Sequence, residues 1–406
     1  MNLKLNIFFK VVFIGLLFLV FLFGGTIQYF FGIPNTALTL LILILFIFLV
    51  FAHIIATKTF FFDRIFIWCF AYLLIIVITG IIHDKGMSRT LLYCIFPIMP
   101  FSVFYIFKIF ERRSIKIHGF LNKFFEFVVL IQLPIILLQK FGYDFLILLN
   151  NSNQGIGEYD FMFGSFFIKG DHSLGFFLLI YMLNLVYKRK FSPLRSYEWF
   201  LIGYLALTIF IMESNLTKLV LIMILGYYLL IWLYKKINFI GMFIMVFVGY
   251  LLFNTALLIP EIDGQYYFFK NKYTPQESQI AFDKTYAKRP QIVVVYAAKK
   301  DLKVMGNGPY DYFDIFTGKF KQTKHFSQLI WTYNDLGLLG LLIVIFLAFT
   351  LIKSLNLKKE SALLLSLVFL MYLFMTNAYS DLAMMLSFLL IRNSRSKLLQ
   401  SKITQE

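Results

Sequence analysis

Charged residues are scarce in this sequence. Asp, Glu, Lys and Arg together make up 15% of the chain, against about 25% in an ordinary soluble domain. Hydrophobic residues make up 60%, so there are too few polar side chains to cover a surface that faces water. This composition excludes a soluble globular protein and indicates an integral membrane protein.

Cysteine is also rare, since the 406 residues include only two, Cys69 and Cys94. Both lie inside apolar runs, and their spacing matches no metal-binding pattern. We therefore interpret them as packing residues. The sequence shows no cluster of metal ligands, and we expect no metal and no cofactor.

Apolar runs dominate what is present. A helix needs about 20 such residues to cross a bilayer, and the sequence offers about twelve candidates. It therefore predicts an all-α, polytopic integral membrane protein that forms a single domain over residues 1–406. The predicted spans are 11–31, 37–56, 65–82, 90–107, 120–139, 173–187, 198–213, 216–234, 238–259, 327–352, 361–377 and 379–391.

The distribution of Lys and Arg predicts the orientation, because short cytoplasmic loops are enriched in these residues. With the N-terminus inside, the basic clusters around Arg112, Arg189, Lys236, Lys358 and Arg392 all fall on one side. Both termini are therefore expected in the cytoplasm. The net charge of +17 follows from this bias, so we expect membrane lipids and no nucleic acid as partners.

One polar interval stands apart, residues 260–325, which is predicted to be a large extracytoplasmic loop between spans 9 and 10. Within it, apolar residues on one face predict a helix over 291–304. Arg289 and a proline stand at its start, where proline is tolerated. A guanidinium at a helix N-terminus favours an anion. The glycines between Gly306 and Pro309 then predict a turn.

Other polar residues lie at or near the predicted outer face. Arg89 either contacts a phosphate or is a charge in a solvated turn. His172 and Glu213 are either functional or simply interfacial. Lys218 either binds an anion or is a lysine that snorkels from a helix end. Asp335, near the outer end of the tenth span, either supports an active-site network or is interfacial.

The end of the large loop resembles a known signature. His325-x-Ser327, nine further residues and then Gly337-x-x-Gly340 resemble the H-x-[NSQ]-x9-G-x-x-[GTY] pattern of the O-antigen polymerase and ligase superfamily. The pattern is degenerate, but here it directly follows the one large outer loop. The resemblance covers the helix count, the loop position and the C-terminal half of the chain.

Three further stretches are similar to the same family. From Arg289 to Tyr310 the chain resembles its loop pattern, in which an arginine begins an amphipathic helix that ends in a G-x-G turn. Members carry a Ser/Thr-Arg pair where this chain has Thr217-Lys218, which keeps the charge but loses the bidentate fork. Residues 164–175 match the family's G-x-F…N-x-x-G stretch only loosely.

The resemblance implies a glycosyltransferase of the bacterial plasma membrane. Such proteins transfer a glycan from undecaprenyl diphosphate at the outer face, without a metal and with inversion. Cations must stabilise the departing diphosphate, and the acceptor hydroxyl must lose its proton. Arg289 and Lys218 are the predicted diphosphate ligands, and Arg289 and His325 the predicted catalytic residues. The bland alternatives are a solvated arginine and an interfacial histidine.

Three functions stay open at this stage. The preferred one is a polymerase of capsule, exopolysaccharide or O-antigen (lipopolysaccharide) units, which extends lipid-linked repeats. It is preferred because the motifs are eroded and polymerases are the more divergent branch. A ligase or oligosaccharyltransferase is the alternative, and a lipid-oligosaccharide flippase ranks third. The partner is an undecaprenyl-diphosphate-linked oligosaccharide, and a polymerase also admits a chain-length regulator and a flippase. Tyr310 and Tyr312 either stack on sugar rings or belong to the core.

Overall fold

The computed structural model describes residues 2–113, 115, 117–152, 155–189, 193–212, 214–236, 239–258, 260–299 and 302–403. Most of this part of the chain is helical. The helices are α1 (Asn2–Phe18), α2 (Gly24–Phe31), α3 (Asn35–Thr57), α4 (Arg64–Ile82), α5 (Met87–Tyr93), α6 (Ile95–Arg112), α7 (His118–Phe141), α8 (Tyr143–Leu146), α9 (Asp171–Arg189), α10 (Ser196–Ile211), α11 (Asn215–Lys236), α12 (Phe239–Ala256), α13 (Pro260–Lys272), α14 (Pro275–Asp283), α15 (Arg289–Ala298), α16 (Gln328–Ser354), α17 (Lys359–Met375) and α18 (Leu382–Ile403).

Shorter elements complete the secondary structure. A π-helical turn, Leu19–Phe23, joins α1 to α2. Single 3-10 turns cover Ile147–Leu149, Glu158–Asp160 and Ala378–Ser380. Strands β1 (Phe313–Asp314) and β2 (Lys319–Phe320) form an antiparallel hairpin. The sequence did not predict this hairpin, because its strands are too short to leave an alternating pattern.

Seven helical stretches are long and apolar enough to cross a membrane, judged by length and composition. They are Leu5–Phe31, Asn35–Thr57, Arg64–Ile82, Met87–Arg112, Gly119–Phe141, Asn215–Leu233 and Gln328–Ser354. Shorter apolar helices follow at Asp171–Tyr187, Ser196–Ile211, Phe243–Thr255 and Leu382–Arg392. The coarse prediction, a mostly helical protein with several helices that can cross a membrane, is confirmed.

The outside of the helix bundle is apolar. Phe31, Ile55 and Ile81 are each about three quarters exposed (74%, 76% and 75%), although such side chains are normally buried in a protein surrounded by water. Exposed apolar surface on this scale marks contact with another apolar phase. The surface of the bundle therefore suits lipid.

Several helix ends meet where the segment 260–325 leads into α16. The backbone N–H of Gln328, the first residue of α16, donates to the carbonyl oxygen of Thr376 at 3.0 Å, just after α17 ends. One turn earlier on α17, the Tyr372 hydroxyl lies 2.9 Å from the hydroxyl of Thr217 on α11. These contacts place the beginnings of α11 and α16 at the same end of the bundle, and the candidate site lies there.

Candidate functional site

Arg289 and His325 lie together, although 36 positions separate them in the sequence. Arg289 is the first residue of α15, and its Nε donates to the carbonyl oxygen of Phe326 at 2.7 Å. His325 immediately precedes that carbonyl, and its Nε2 lies 3.2 Å from Nζ of Lys288. Two cations and one imidazole therefore form a single group, which we call the cationic cluster.

His325 is neutral near pH 7, chiefly because of its burial. Burial lowers the pKa of His325 to about 4, and the positive charges of Arg289 and Lys288 act in the same direction. An ammonium group only donates hydrogen bonds, so Nε2 is the acceptor of the contact with Lys288. In that arrangement the ring proton resides on Nδ1. The imidazole is therefore a proton acceptor at neutral pH.

The backbone on both sides of the cluster is fixed by buried residues. The hydroxyl of Tyr312, which is fully buried, donates to the carbonyl oxygen of His325 at 2.9 Å. The Thr323 hydroxyl donates to the carbonyl oxygen of Ala287 at 2.9 Å, next to Lys288. Ser327 caps α16 by accepting from the backbone N–H of Ile330 at 3.3 Å. The cluster therefore sits on anchored chain.

Asp335 is the residue that anchors Tyr312. Its carboxylate is fully buried, and one oxygen accepts from the backbone N–H of Tyr312 at 2.7 Å. The other oxygen accepts from Nε1 of Trp331 at 2.6 Å, and Asn334 donates to the first at 2.9 Å. Asp335 is therefore a buried anchor of the loop rather than an interfacial carboxylate.

A break in α16 creates the place where the loop docks. Gly337 has φ +74° and ψ −163°, which interrupts the helix. Across the break, the backbone N–H of Leu338 donates to the carbonyl oxygen of Lys303 at 2.8 Å, and that of Gly308 donates to the carbonyl oxygen of Asp335 at 2.8 Å. A Cβ on Gly306 would stand 2.3 Å from the carbonyl carbon of Asp335. The loop and the helix thus share backbone hydrogen bonds at close range.

This docking corrects one prediction. The helix expected over 291–304 begins where the sequence indicates, at Arg289, but it ends at Ala298. The carbonyl oxygens of Lys303 and Val304 instead accept hydrogen bonds from the backbone of the broken helix α16. The predicted turn near Pro309 is present, since Gly308 has φ +91°.

Arg89 and its neighbour Lys85 hold the hairpin. Nη2 of Arg89 donates to Asp314 at 3.0 Å, and Nζ of Lys85 donates to Asp311 at 2.7 Å. Burial acts to raise the pKa of Asp311, but hydrogen bonds from Lys321 and Lys85 outweigh it and hold the pKa below its ordinary value. Arg89 is therefore one side of an ion pair.

His172 and the turn that precedes Lys218 form a second polar group at this end of the bundle. Nδ1 of His172 lies 3.1 Å from the hydroxyl of Ser214, which also accepts from the Thr217 hydroxyl at 2.9 Å. The backbone N–H of Lys218 donates to the carbonyl oxygen of Ser214 at 3.1 Å. Thus His172 and the turn that carries Lys218 are adjacent, while Glu213 lies outside the described residues.

The sequence did not identify Lys288 as a site residue. It also left open that Tyr310 and Tyr312 stack on sugar rings, which the structure excludes. Lys288 forms a dibasic pair with Arg289 just before a proline, and that pair is the signal that points to it. Tyr310 and Tyr312 are buried at 5% and 0% exposure and pack against Trp331. Their rings are covered by protein, so they do not stack on a sugar.

The fold and the site define a class: a helical protein with several helices able to cross a membrane, and a cationic cluster beside a neutral histidine at one end. Within the described part of the chain, no group of three or more His, Cys, Asp and Glu side chains is placed to hold a metal ion. The chain matches no protein-family model, no curated protein and no solved structure. The chemistry of the cluster therefore carries the functional argument.

Proposed function

We propose that the chain is a polysaccharide polymerase of the bacterial plasma membrane. It moves a glycan from undecaprenyl diphosphate onto the next lipid-linked repeat unit at the outer face. The observation that carries this proposal is the cationic cluster, in which Arg289 and Lys288 flank the neutral imidazole of His325. One substrate with a diphosphate and another with a hydroxyl need these two kinds of group side by side.

In the proposed reaction the diphosphate is bound first. Arg289 at the start of α15 combines a guanidinium with the positive end of a helix dipole, and both favour an anion. Lys288 is exposed, and a diphosphate gives its ammonium a stronger, charge-assisted partner than a neutral imidazole. Its move to the diphosphate uncovers Nε2 of His325.

The transfer step then balances without a further reagent. The acceptor oxygen attacks the anomeric carbon of the donor sugar and forms the new glycosidic bond with inversion. The bond from that carbon to the diphosphate oxygen breaks, and its electron pair leaves on undecaprenyl diphosphate, where the cations stabilise the charge. The acceptor proton goes to Nε2 of His325. Lys218 and His172, in the neighbouring polar group, assist in holding the lipid-linked substrates.

The proposed topology places this chemistry outside the cell. All twelve predicted spans contain a helix, and we propose that all twelve cross the membrane. The excess of Lys and Arg on one side then directs both termini to the cytoplasm. Segment 260–325, which carries the cluster, becomes the outer loop, where lipid-linked repeats are presented.

The test is a glycan ladder from a deletion strain. We complement it with wild type, Arg289→Ala or His325→Ala, and with Lys324→Ala as the matched control, an exposed cation next to His325. We expect the deletion strain to contain only single repeat units. Arg289→Ala and His325→Ala should not restore the ladder, although each variant reaches wild-type abundance in the membrane. Lys324→Ala should restore it.

Each other result has a distinct meaning. Long chains stranded on undecaprenyl diphosphate after deletion identify a ligase. Repeat units that stay on the cytoplasmic leaflet identify a flippase. Full rescue by both site variants shows that the cluster is not the site, and an unchanged ladder after deletion overturns the proposed function.

A further inference from the structure

A groove opens beside the cationic cluster, between α13 on one side and α14 with the start of α15 on the other. Its volume is about 650 Å³, within the roughly 300–1,000 Å³ of sites that bind small molecules. We call it the lateral groove. Its walls combine aromatic rings with the polar side chains of Asn271, Lys272 and Glu277.

Three aromatic side chains line the lateral groove and remain exposed. Tyr267, Phe268 and Tyr286 are 63%, 59% and 54% exposed. Lys272 lies over the ring of Phe268, whereas the rings of Tyr267 and Tyr286 offer apolar faces inside a concavity, which suits a ligand. Unlike Tyr310 and Tyr312, these rings are accessible to a sugar.

The groove is held open by one buried residue. Gln291 is 4% exposed, and its Nε2 donates to the carbonyl oxygen of Lys272 at the end of α13, at 3.0 Å. Its Oε1 accepts from the backbone N–H of Lys288 at 2.9 Å. A single side chain therefore joins the α13 wall to the start of α15. Such preorganisation lowers the entropy lost on binding.

The lateral groove is continuous with the cationic cluster. Lys288 lines the groove and also contacts Nε2 of His325. A ligand that lies along the groove therefore ends beside the group that accepts a proton in the proposed reaction. This places an acceptor in the groove, because the donor is anchored by its diphosphate at Arg289.

We propose that the lateral groove binds a pyranose ring of the acceptor glycan and directs its hydroxyl toward His325. The apolar C–H face of the ring stacks on Tyr267 and Tyr286, and Asn271 and Glu277 bind hydroxyl groups at the rim. The competing occupant is an anionic lipid headgroup, because Lys272 and Lys288 also line the groove, and the binding test distinguishes it from a sugar. The inference rests on the proposed function, since it names the substrate part that the same site receives.

Binding is measured with the purified full chain in lipid nanodiscs. The probe is a repeat-unit oligosaccharide made by partial acid hydrolysis of the strain's own envelope polysaccharide, which carries no diphosphate. Saturation-transfer NMR reports which sugar protons touch the protein, and a titration gives Kd. We expect Tyr267→Ala and Tyr286→Ala each to raise Kd about 2- to 12-fold, the factor that corresponds to 0.5–1.5 kcal/mol per aromatic contact.

Matched variants separate stacking from folding. Tyr267→Phe keeps the ring and should keep Kd. Tyr266→Ala removes an exposed ring from the same helix, one that packs on Phe253, and should also keep Kd. Equal Kd values for wild type, Tyr267→Ala and Tyr286→Ala overturn the groove, as does displacement of bound anionic lipid in place of sugar binding.

The groove and the proposed function fail in different ways. Arg289→Ala should bind the oligosaccharide like wild type, because the probe lacks the diphosphate, yet it should not restore the glycan ladder. If the ladder depends on Arg289 but the Kd of the oligosaccharide does not change in Tyr267→Ala and Tyr286→Ala, the proposed function is supported and the acceptor site in the groove is refuted. If deletion leaves the ladder unchanged, the function is wrong and the acceptor assignment falls with it.

Discussion

Substitution of Asp335 tests whether this residue anchors the loop or takes part in catalysis. Substitution by Ala leaves two buried donors, the backbone N–H of Tyr312 and Nε1 of Trp331, without their partners. Each stranded buried donor costs about 1–3 kcal/mol, so the expected loss in the free energy of unfolding is about 2–6 kcal/mol. This is a large part of the roughly 5–15 kcal/mol that stabilises a typical domain.

The free energy of unfolding of Asp335→Asn should lie between the values for wild type and Asp335→Ala. The amide keeps one oxygen for the N–H of Tyr312, but its NH2 group then faces Nε1 of Trp331, donor against donor. One contact is lost instead of two, which costs about 1–3 kcal/mol. The matched control is Asp314→Asn, since Asp314 pairs with Arg89 at the surface of the hairpin, and solvent-exposed ion pairs contribute little to stability.

The assay heats detergent-purified protein and measures the fraction that stays monodisperse on size-exclusion chromatography. The midpoint is the temperature at which half of the protein stays monodisperse. We expect it to be highest for wild type and then to decrease through Asp314→Asn and Asp335→Asn to Asp335→Ala. Asp335→Asn should also keep part of the glycan ladder, because Asp335 does not touch the cluster. A variant with wild-type stability and no ladder would refute the anchor role and make Asp335 catalytic.

Other predictions concern the cluster, the helix break and the hairpin. Lys288→Ala removes one positive charge and should raise the pKa of His325, so the acidic limb of the pH–rate profile should move to higher pH; an unmoved limb contradicts the contact. A neutral folded His325, with a pKa of about 4 against 6.5 unfolded, adds stability that is full above pH 6.5 and falls as pH drops to 4. The midpoint of His325→Gln should therefore depend less on pH in that window. Gly337→Ala forces a Cβ to 2.4 Å from a loop carbonyl oxygen and should lower the midpoint by several degrees, whereas Gly249→Ala, which meets no atom within 4 Å, should not. Arg89→Ala should loosen the hairpin, seen as faster proteolysis there, yet leave the ladder nearly intact; a lost ladder would return Arg89 to the phosphate site.

The helices were predictable because their signal is local. Apolar runs of about 20 residues are recognisable directly in the sequence, and each predicted span contains a helix. The start of α15 at Arg289 was equally readable, since a proline in the first turn of a helix is a local preference. The twelve-span topology stays a prediction.

The features that the sequence did not disclose depend on distant parts of the chain. α15 ends at Ala298 because Lys303 bonds to the backbone of α16, and no local pattern in the sequence reports that contact. Burial of Tyr312 is likewise decided by Asp335, 23 positions later. Lys288 entered the site through its contact with His325, 37 positions away.

The break at Gly337 also has a mechanical meaning. α16 is one of the helices long enough to cross a membrane, and its backbone is bonded to the loop on both sides of the break. A tilt of the upper part of α16 therefore carries the loop with it. Helices relieve a mismatch with bilayer thickness by tilting. In the proposed topology, the height of the cationic cluster above the lipid therefore follows the thickness of the membrane.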